Sequence, residues 1–287
     1  MAAFYNQATL SYNGTVKSSN ITTGEIINVL SATKNAVTDT YSSNDDIVYV
    51  ISIVNTGTSG FNGVTVTDDL GQYTAEGTTD EVVPLTYVDG SIQYYINGIA
   101  QAAPTVTDTE PLTINGLNIP AGSNVTLIYA ATTNAFAPLA AGSEITNTAT
   151  FSGTGFTPFT ASDTITPVTE ADLMISKSLS PAAVEENGDV TYTFLIQNFG
   201  SKAADVADNV IFSDTFTPVL SNLTATYNDA PWTDGTNYSY DETTGEFESL
   251  AGQITVPAAT FTQDTTTRAW TVQPGVSVIK ISGQITL

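Results

Sequence analysis

An all-β protein is predicted, built as two tandem β-sandwiches with an additional strand at the N-terminus. Three observations lead there. Short runs alternate in polarity, such as Ile47-Val48-Tyr49-Val50-Ile51-Ser52-Ile53 and Val190-Thr191-Tyr192-Thr193-Phe194-Leu195-Ile196, and turn residues bound them. Helical periodicity is nearly absent. One strand pattern recurs across two halves, and its last member has an isolated copy near residue 1.

The copy is Phe4-Tyr5-Asn6-Gln7-Ala8-Thr9-Leu10-Ser11-Tyr12, which matches Ile145-Thr146-Asn147-Thr148-Ala149-Thr150-Phe151-Ser152-Gly153. Residues 1–13 are therefore expected to form a donor strand. Residues 14–29, rich in Asn, Ser, Thr and Gly, are expected to be a linker.

The first sandwich is assigned to residues 30–167. Its landmarks are Leu30-Ser31-Ala32-Thr33-Lys34, then Ile47 to Asn55-Thr56-Gly57, then Val64-Thr65-Val66-Thr67-Asp68-Asp69-Leu70. The second, residues 168–287, repeats them as Leu173-Met174-Ile175-Ser176-Lys177, Val190 to Asn198-Phe199-Gly200, and Val210-Ile211-Phe212-Ser213-Asp214-Thr215-Phe216. Pro167-Val168-Thr169-Glu170 marks the join. Aligning Gly122 with Gly275 places Leu287 opposite Asn134. The second sandwich is then expected to lack the final strand that Ile145 to Phe151 supplies to the first.

Composition narrows the function. The chain has 287 residues, 41% of them hydrophobic, enough for real cores. Against 6 basic residues stand 29 acidic ones, a formal charge of −23, which argues against nucleic acid and anionic membrane as partners. Cysteine and histidine are absent, so disulfides, thiolate chemistry and histidine triads are excluded. No apolar run is long enough for a membrane span. Met1-Ala2-Ala3-Phe4 lacks a leader pattern, so a processed chain or assembly inside a sporulating cell is expected. Asp45-Asp46 and Glu185-Glu186 have no EF-hand spacing and read as solvated loop charge, so no metal or cofactor is expected.

A Lys-bearing first strand, Gly188-Asp189-Val190-Thr191-Tyr192, Asn55-Thr56-Gly57, Val66-Thr67-Asp68-Asp69-Leu70 and Ile145-Thr146-Asn147-Thr148-Ala149-Thr150 form a recognisable set. The set resembles the conserved-repeat immunoglobulin-like domains of bacterial and archaeal surface proteins, domain of unknown function eleven. The resemblance covers residues 30–287 as two copies, plus the strand at 4–12. It implies immunoglobulin-like sandwiches in an extracellular stalk, wall or appendage, with no catalytic turnover.

Strand parity then singles out six residues. Side chains alternate faces along a strand. Lys34 falls on the face of Leu30 and Ala32, Asp68 on that of Val64 and Val66, and Asn147 on that of Ile145 and Ala149. Lys177 falls with Leu173 and Ile175, Asp214 with Val210 and Phe212, and Asn6 with Phe4 and Ala8. All six are expected on the apolar side, and Asp69 on the solvated side. An unpaired charge buried there costs several kcal/mol. Burial favours a neutral lysine amine and a protonated carboxyl. A neutral amine attacks a carboxamide whose carbonyl an acid polarises, giving an isopeptide bond and ammonia. Gram-positive pilin and adhesin domains are similar in using Lys, Asn and an acid on first, last and middle strands.

Lys34 is thus expected to bond Asn147 with Asp68 assisting, against the plain alternative of a buried Lys34–Asp68 ion pair. Asn6 of one subunit is expected to reach Lys177 of the next, with Asp214 assisting, because the second sandwich offers no Asn of its own. Head-to-tail joining that does not close on itself gives a filament. An extended tether over residues 13–29 spans roughly 55 Å at ~3.3 Å per residue, so closure of a chain on itself is the other outcome of the same chemistry. The expected protein is a structural fibre subunit on a bacterial cell or spore surface whose partner is itself. A monomeric adhesin or surface-layer module is the alternative.

Overall fold

The computed structural model describes residues 2–26, 28–185 and 187–286. The chain is all-β, and among the described residues the helical content is one 3₁₀ turn at Val206–Asp208. Two compact units form. The first comprises residues 1–39, 44–134 and 145–165; the second comprises 40–43, 135–144 and 166–287.

The N-terminal stretch is a β-hairpin. Strand β1 (Ala2–Asn6) pairs antiparallel with β4 (Thr22–Ile26), and β2 (Thr9–Tyr12) with β3 (Thr15–Ser18). Asn13 and Gly14 form the tip with φ of 47° and 76°. Two successive positive φ values define the turn that suits strand twist, and Asn-Gly is its favoured sequence. Between the two ladders Gln7 and Ala8 face Ser19, Asn20 and Ile21, a bulge closed by Ser19 N–H donating to Ala8 O at 2.8 Å. The stretch 14–29, expected as a linker, therefore carries the hairpin's return strands. Every residue from Phe4 to Thr23 is exposed.

In the first unit, β5 (Leu30–Ala36), β6 (Asp46–Asn55), β7 (Phe61–Asp68), β8 (Gln93–Ile96), β9 (Leu112–Ile119), β10 (Asn124–Thr133), β11 (Ile145–Ser152) and β12 (Phe159–Pro167) build two sheets. One runs β8-β10-β6-β5 and the other β9-β7-β11-β12. The predicted alternation holds. Ile47, Tyr49, Ile51 and Ile53 from β6, Val64 and Val66 from β7, and Ala149 and Phe151 from β11 are all buried. Each fully buried side chain of this size contributes about 1.5–3 kcal/mol of hydrophobic stabilisation.

The second unit repeats the plan with β13 (Leu173–Ser180), β14 (Asp189–Asn198), β15 (Ser213–Thr215), β16 (Leu220–Tyr227), β17 (Glu246–Ser249) and β18 (Gly275–Ile285). One sheet runs β13-β14-β18-β16, and the other runs from β15 through β17 to Tyr238–Tyr240. The Asn-x-Gly motif has the same use in both units. Asn55 Oδ1 accepts from Gly57 N–H at 2.9 Å while its amide donates to Pro120 O at 2.9 Å. Asn198 Oδ1 accepts from Gly200 N–H at 2.9 Å while its amide donates to Pro257 O at 3.0 Å.

The ladders correct one alignment. Tyr49 pairs with Tyr129, and its counterpart Tyr192 pairs with Ile281. Tyr129 therefore corresponds to Ile281, one residue off the register set by Gly122 and Gly275. Gly122 lies in the turn before its strand with φ 63°, whereas Gly275 is already in the ladder opposite Asn198, so the two glycines are not equivalent.

Candidate crosslinking sites

Lys34, Asp68 and Asn147 converge in the first unit. Lys34 rises from β5 and crosses to the opposite sheet, where Nζ lies 2.6 Å from Asp68 Oδ2 with neither side chain exposed. Alternation forces this, since Lys34 shares its face with Leu30. Ala149 of β11 stands opposite Asp68 of β7, which sets Asn147 two residues away on the same inward face. Lys34 Nζ also sits 4.8 Å from the Tyr49 ring centroid and 5.8 Å from that of Tyr129.

Two tyrosines, missed in the sequence, complete the site. Tyr129 O–H donates to Asp68 Oδ2 at 2.7 Å and accepts from Asn147 Nδ2 at 3.1 Å. Asn147 Oδ1 is buried with no donor among the described residues. Tyr129 lies in the inward row Val125, Leu127, Tyr129. A buried tyrosine hydroxyl needs a polar partner, and that requirement was the available signal.

Electrostatics suit amide chemistry. Burial pushes the Lys34 amine below its ordinary value of 10.5, with Asp68 pulling the other way. Burial also pushes the Tyr129 hydroxyl well above its usual range. Asp69, expected to be solvated, is half-buried. Its Oδ1 accepts from Thr148 N–H at 2.8 Å and Gly71 N–H at 2.9 Å, latching β11 to the end of β7, and burial raises its pKa.

The second unit brings Lys177 and Asp214 together but leaves them open. Nζ lies 2.5 Å from Asp214 Oδ2, with side chains 43% and 19% exposed. Lys177 is on the predicted face, 4.7 Å from the Tyr192 ring centroid and 5.4 Å from that of Phe216. It is not buried as parity suggested, because no strand among the described residues covers it. Strand β15 ends its sheet where β7 has β11 as a neighbour. An apolar groove of about 370 Å³ runs there, lined by Leu173, Ile175, Ile196, Val210, Ile211 and Phe212. Ile175 is 56% exposed and Ile211 54%. Asn6 stands on β1, exposed and opposite Thr22.

Among the described residues no helix is long and apolar enough to cross a membrane, and no group of three or more acidic side chains is placed to hold a metal. No family model and no curated protein matches the chain. Among solved structures it is similar to the major pilin subunit of Bacillus cereus, at 12% identity and a TM-score of 0.35 over 96% of this chain and 73% of that one. It is also similar to the pilus backbone of Streptococcus pneumoniae, at 12% identity and a TM-score of 0.34 over 85% of this chain. This chain spans about half the length of that pneumococcal protein, 55%.

Proposed function

We propose that the protein is the structural subunit of an extracellular fibre on a bacterial cell or spore. Subunits join head to tail, the N-terminal arm of one completing the second unit of the next. Isopeptide bonds Lys34–Asn147 within a subunit and Lys177–Asn6 between subunits then make the assembly covalent. The observation that carries this reading is the contrast between two equivalent ion pairs. Lys34–Asp68 is sealed beneath a strand bearing Asn147, whereas Lys177–Asp214 lies open beside a vacant strand position. The arm carries Asn6, Ala8 and Leu10 in the order Asn147, Ala149 and Phe151.

The chemistry balances. A proton passes along the Lys34–Asp68 hydrogen bond, leaving a neutral amine and a neutral acid. Nζ attacks Asn147 Cγ while Asp68 protonates Oδ1. One Nζ proton then passes through Asp68 to Nδ2, the Cγ–Nδ2 bond breaks and ammonia leaves, and Oδ1 returns its proton to Asp68, which ends neutral beside the new amide. Each site reacts once, so there is no turnover. Strand addition supplies the initial grip through backbone bonds and groove burial. The net charge of −23 keeps free subunits apart until the arm docks.

The test is a boiled, denatured sample on a gel. A ladder of multimers is expected, lost in Lys177→Ala and Asn6→Ala and kept in Lys34→Ala. A monomer band at full, uncrosslinked mass, with no filaments by electron microscopy, would reject the proposal. A monomer lighter by two ammonias in place of a ladder would mean that Asn6 and Lys177 of one chain close on each other, and would reject the fibre; one lighter by a single ammonia would leave Lys34–Asn147 formed and reject the weld between subunits.

A further inference from the structure

We infer that the arm is donated as an intact two-stranded hairpin, filling the places of both β11 and β12, and not as the single strand β1–β2. This rests on the head-to-tail reading above and specifies what docks.

Two strands in the first unit cover what is bare in the second. Strand β11 brings Asn147, and β12 closes on the first strand, since Ala36 N–H donates to Asp163 Oδ2 at 2.6 Å. By the repeat, Ala36 corresponds to Leu179, which is 41% exposed. A lone strand beside β15 would leave that flank of β13 uncovered.

The hairpin matches the missing pair in direction and register. Strands β11 and β12 are antiparallel, with Asn147 opposite Asp163, Thr146 opposite Thr164 and Ile145 opposite Ile165. Strands β1 and β4 are antiparallel, with Asn6 opposite Thr22, Tyr5 opposite Thr23 and Phe4 opposite Gly24. Thr146 and Thr164 share an outward hydrogen bond at 2.9 Å, so Tyr5 and Thr23 would face solvent. Phe4 and Gly24 would take the inward places of Ile145 and Ile165. The Phe4 ring lies over Gly24 where a side chain would otherwise stand, so this pair presents one large group in place of two medium ones. A two-stranded hairpin is marginal alone in water, and the exposure of both faces of this one leaves it in need of a sheet to join.

A disulfide lock decides the matter in the full chain, which has no native cysteine. Directly opposite residues in an antiparallel pair lie within disulfide reach. The variant Tyr5→Cys/Thr23→Cys locks β1 to β4, and Thr9→Cys/Ser18→Cys locks β2 to β3. Both are compared oxidised and reduced. The inference expects oxidised and reduced forms to give the same filaments and the same ladder. Assembly by the reduced forms alone would overturn it, because a single donated strand must first peel from its partner. Failure of both reduced variants beside an assembling wild type would also overturn it, since it would place the outward face inside the joint. Failure of the wild type itself would remove the head-to-tail reading and this inference with it.

Discussion

The Tyr129 hydroxyl accepts a hydrogen bond from Asn147 Nδ2 at 3.1 Å and donates its own to Asp68 Oδ2 at 2.7 Å. One hydroxyl thereby fixes the carboxamide's orientation, turning its nitrogen toward the tyrosine and its carbonyl oxygen away. It also ties the carboxamide to the carboxyl that the proposed reaction uses. In the second unit the same ladder position holds Ile281, so that anchor has no counterpart there.

Tyr129→Phe should therefore act on one bond and spare the other. A hydrogen bond is worth about 1 kcal/mol, and each ~1.4 kcal/mol is tenfold in rate, so Lys34–Asn147 closure should slow by roughly five- to tenfold. Intact-mass measurement soon after synthesis should find a larger fraction retaining the full ammonia count. The multimer ladder should be unchanged. Equal slowing of both bonds would show that the substitution acts through the fold and not through the site.

The sequence disclosed faces better than cover. Alternation set Lys34, Asp68 and Asn147 inward because β5, β11 and the stretch of β7 from Val64 to Asp68 are regular, and a regular strand has no freedom to reassign its faces. The same rule put Lys177 on the correct face yet could not say that its side chain stays 43% exposed, since cover depends on a neighbouring strand. The Asn13-Gly14 turn was legible in principle. Its upstream flank, Thr9 to Tyr12, reads as strand, but Thr15 to Ser18 carries so little apolar alternation that it reads as linker. Tyr129 was passed over because alternation treats tyrosine as apolar, whereas here the hydroxyl does the work. Matching Gly122 to Gly275 misplaced the second unit's last strand by one residue, because the first is a turn residue ahead of its strand and the second already belongs to the ladder.

The lowered Lys34 pKa gives a pH signature that the crosslink should erase. Burial holds the folded amine below its ordinary 10.5. Between the lowered value and 10.5 the unfolded chain binds a proton that the folded chain does not, so stability rises with pH across that window. It is lost as pH falls through the folded value. The slope approaches about 1.4 kcal/mol per pH unit for one proton. Asn147→Ala keeps the free amine and should show this slope in urea midpoints measured from neutral to alkaline pH. The parent, whose Lys34 nitrogen is an amide, should lack it. Parallel curves for the two proteins would mean that the parent's lysine is still free.

Leu10 tests the grip that precedes the bond. In the proposed joint it takes the place of Phe151, which is fully buried beside Val66 in the first unit. The matching ground in the second unit is Phe212, at the wall of the open groove. Truncating a buried leucine costs about 2–5 kcal/mol. Leu10 lies 69% exposed in the free arm, so nearly all of that loss falls on the joint and little on the subunit's own stability. An Asn6→Ala background removes the covalent step and leaves association reversible. There, Leu10→Ala should raise the subunit concentration needed for filaments by thirtyfold or more, at about 1.4 kcal/mol per tenfold. Sedimentation of filaments against total protein reads this directly. The melting temperature of the unassembled subunit should stay within a degree or so of its parent, because an exposed side chain away from the core contributes within about 0.5 kcal/mol. An unchanged threshold would place Leu10 outside the joint and break the match between the arm and β11.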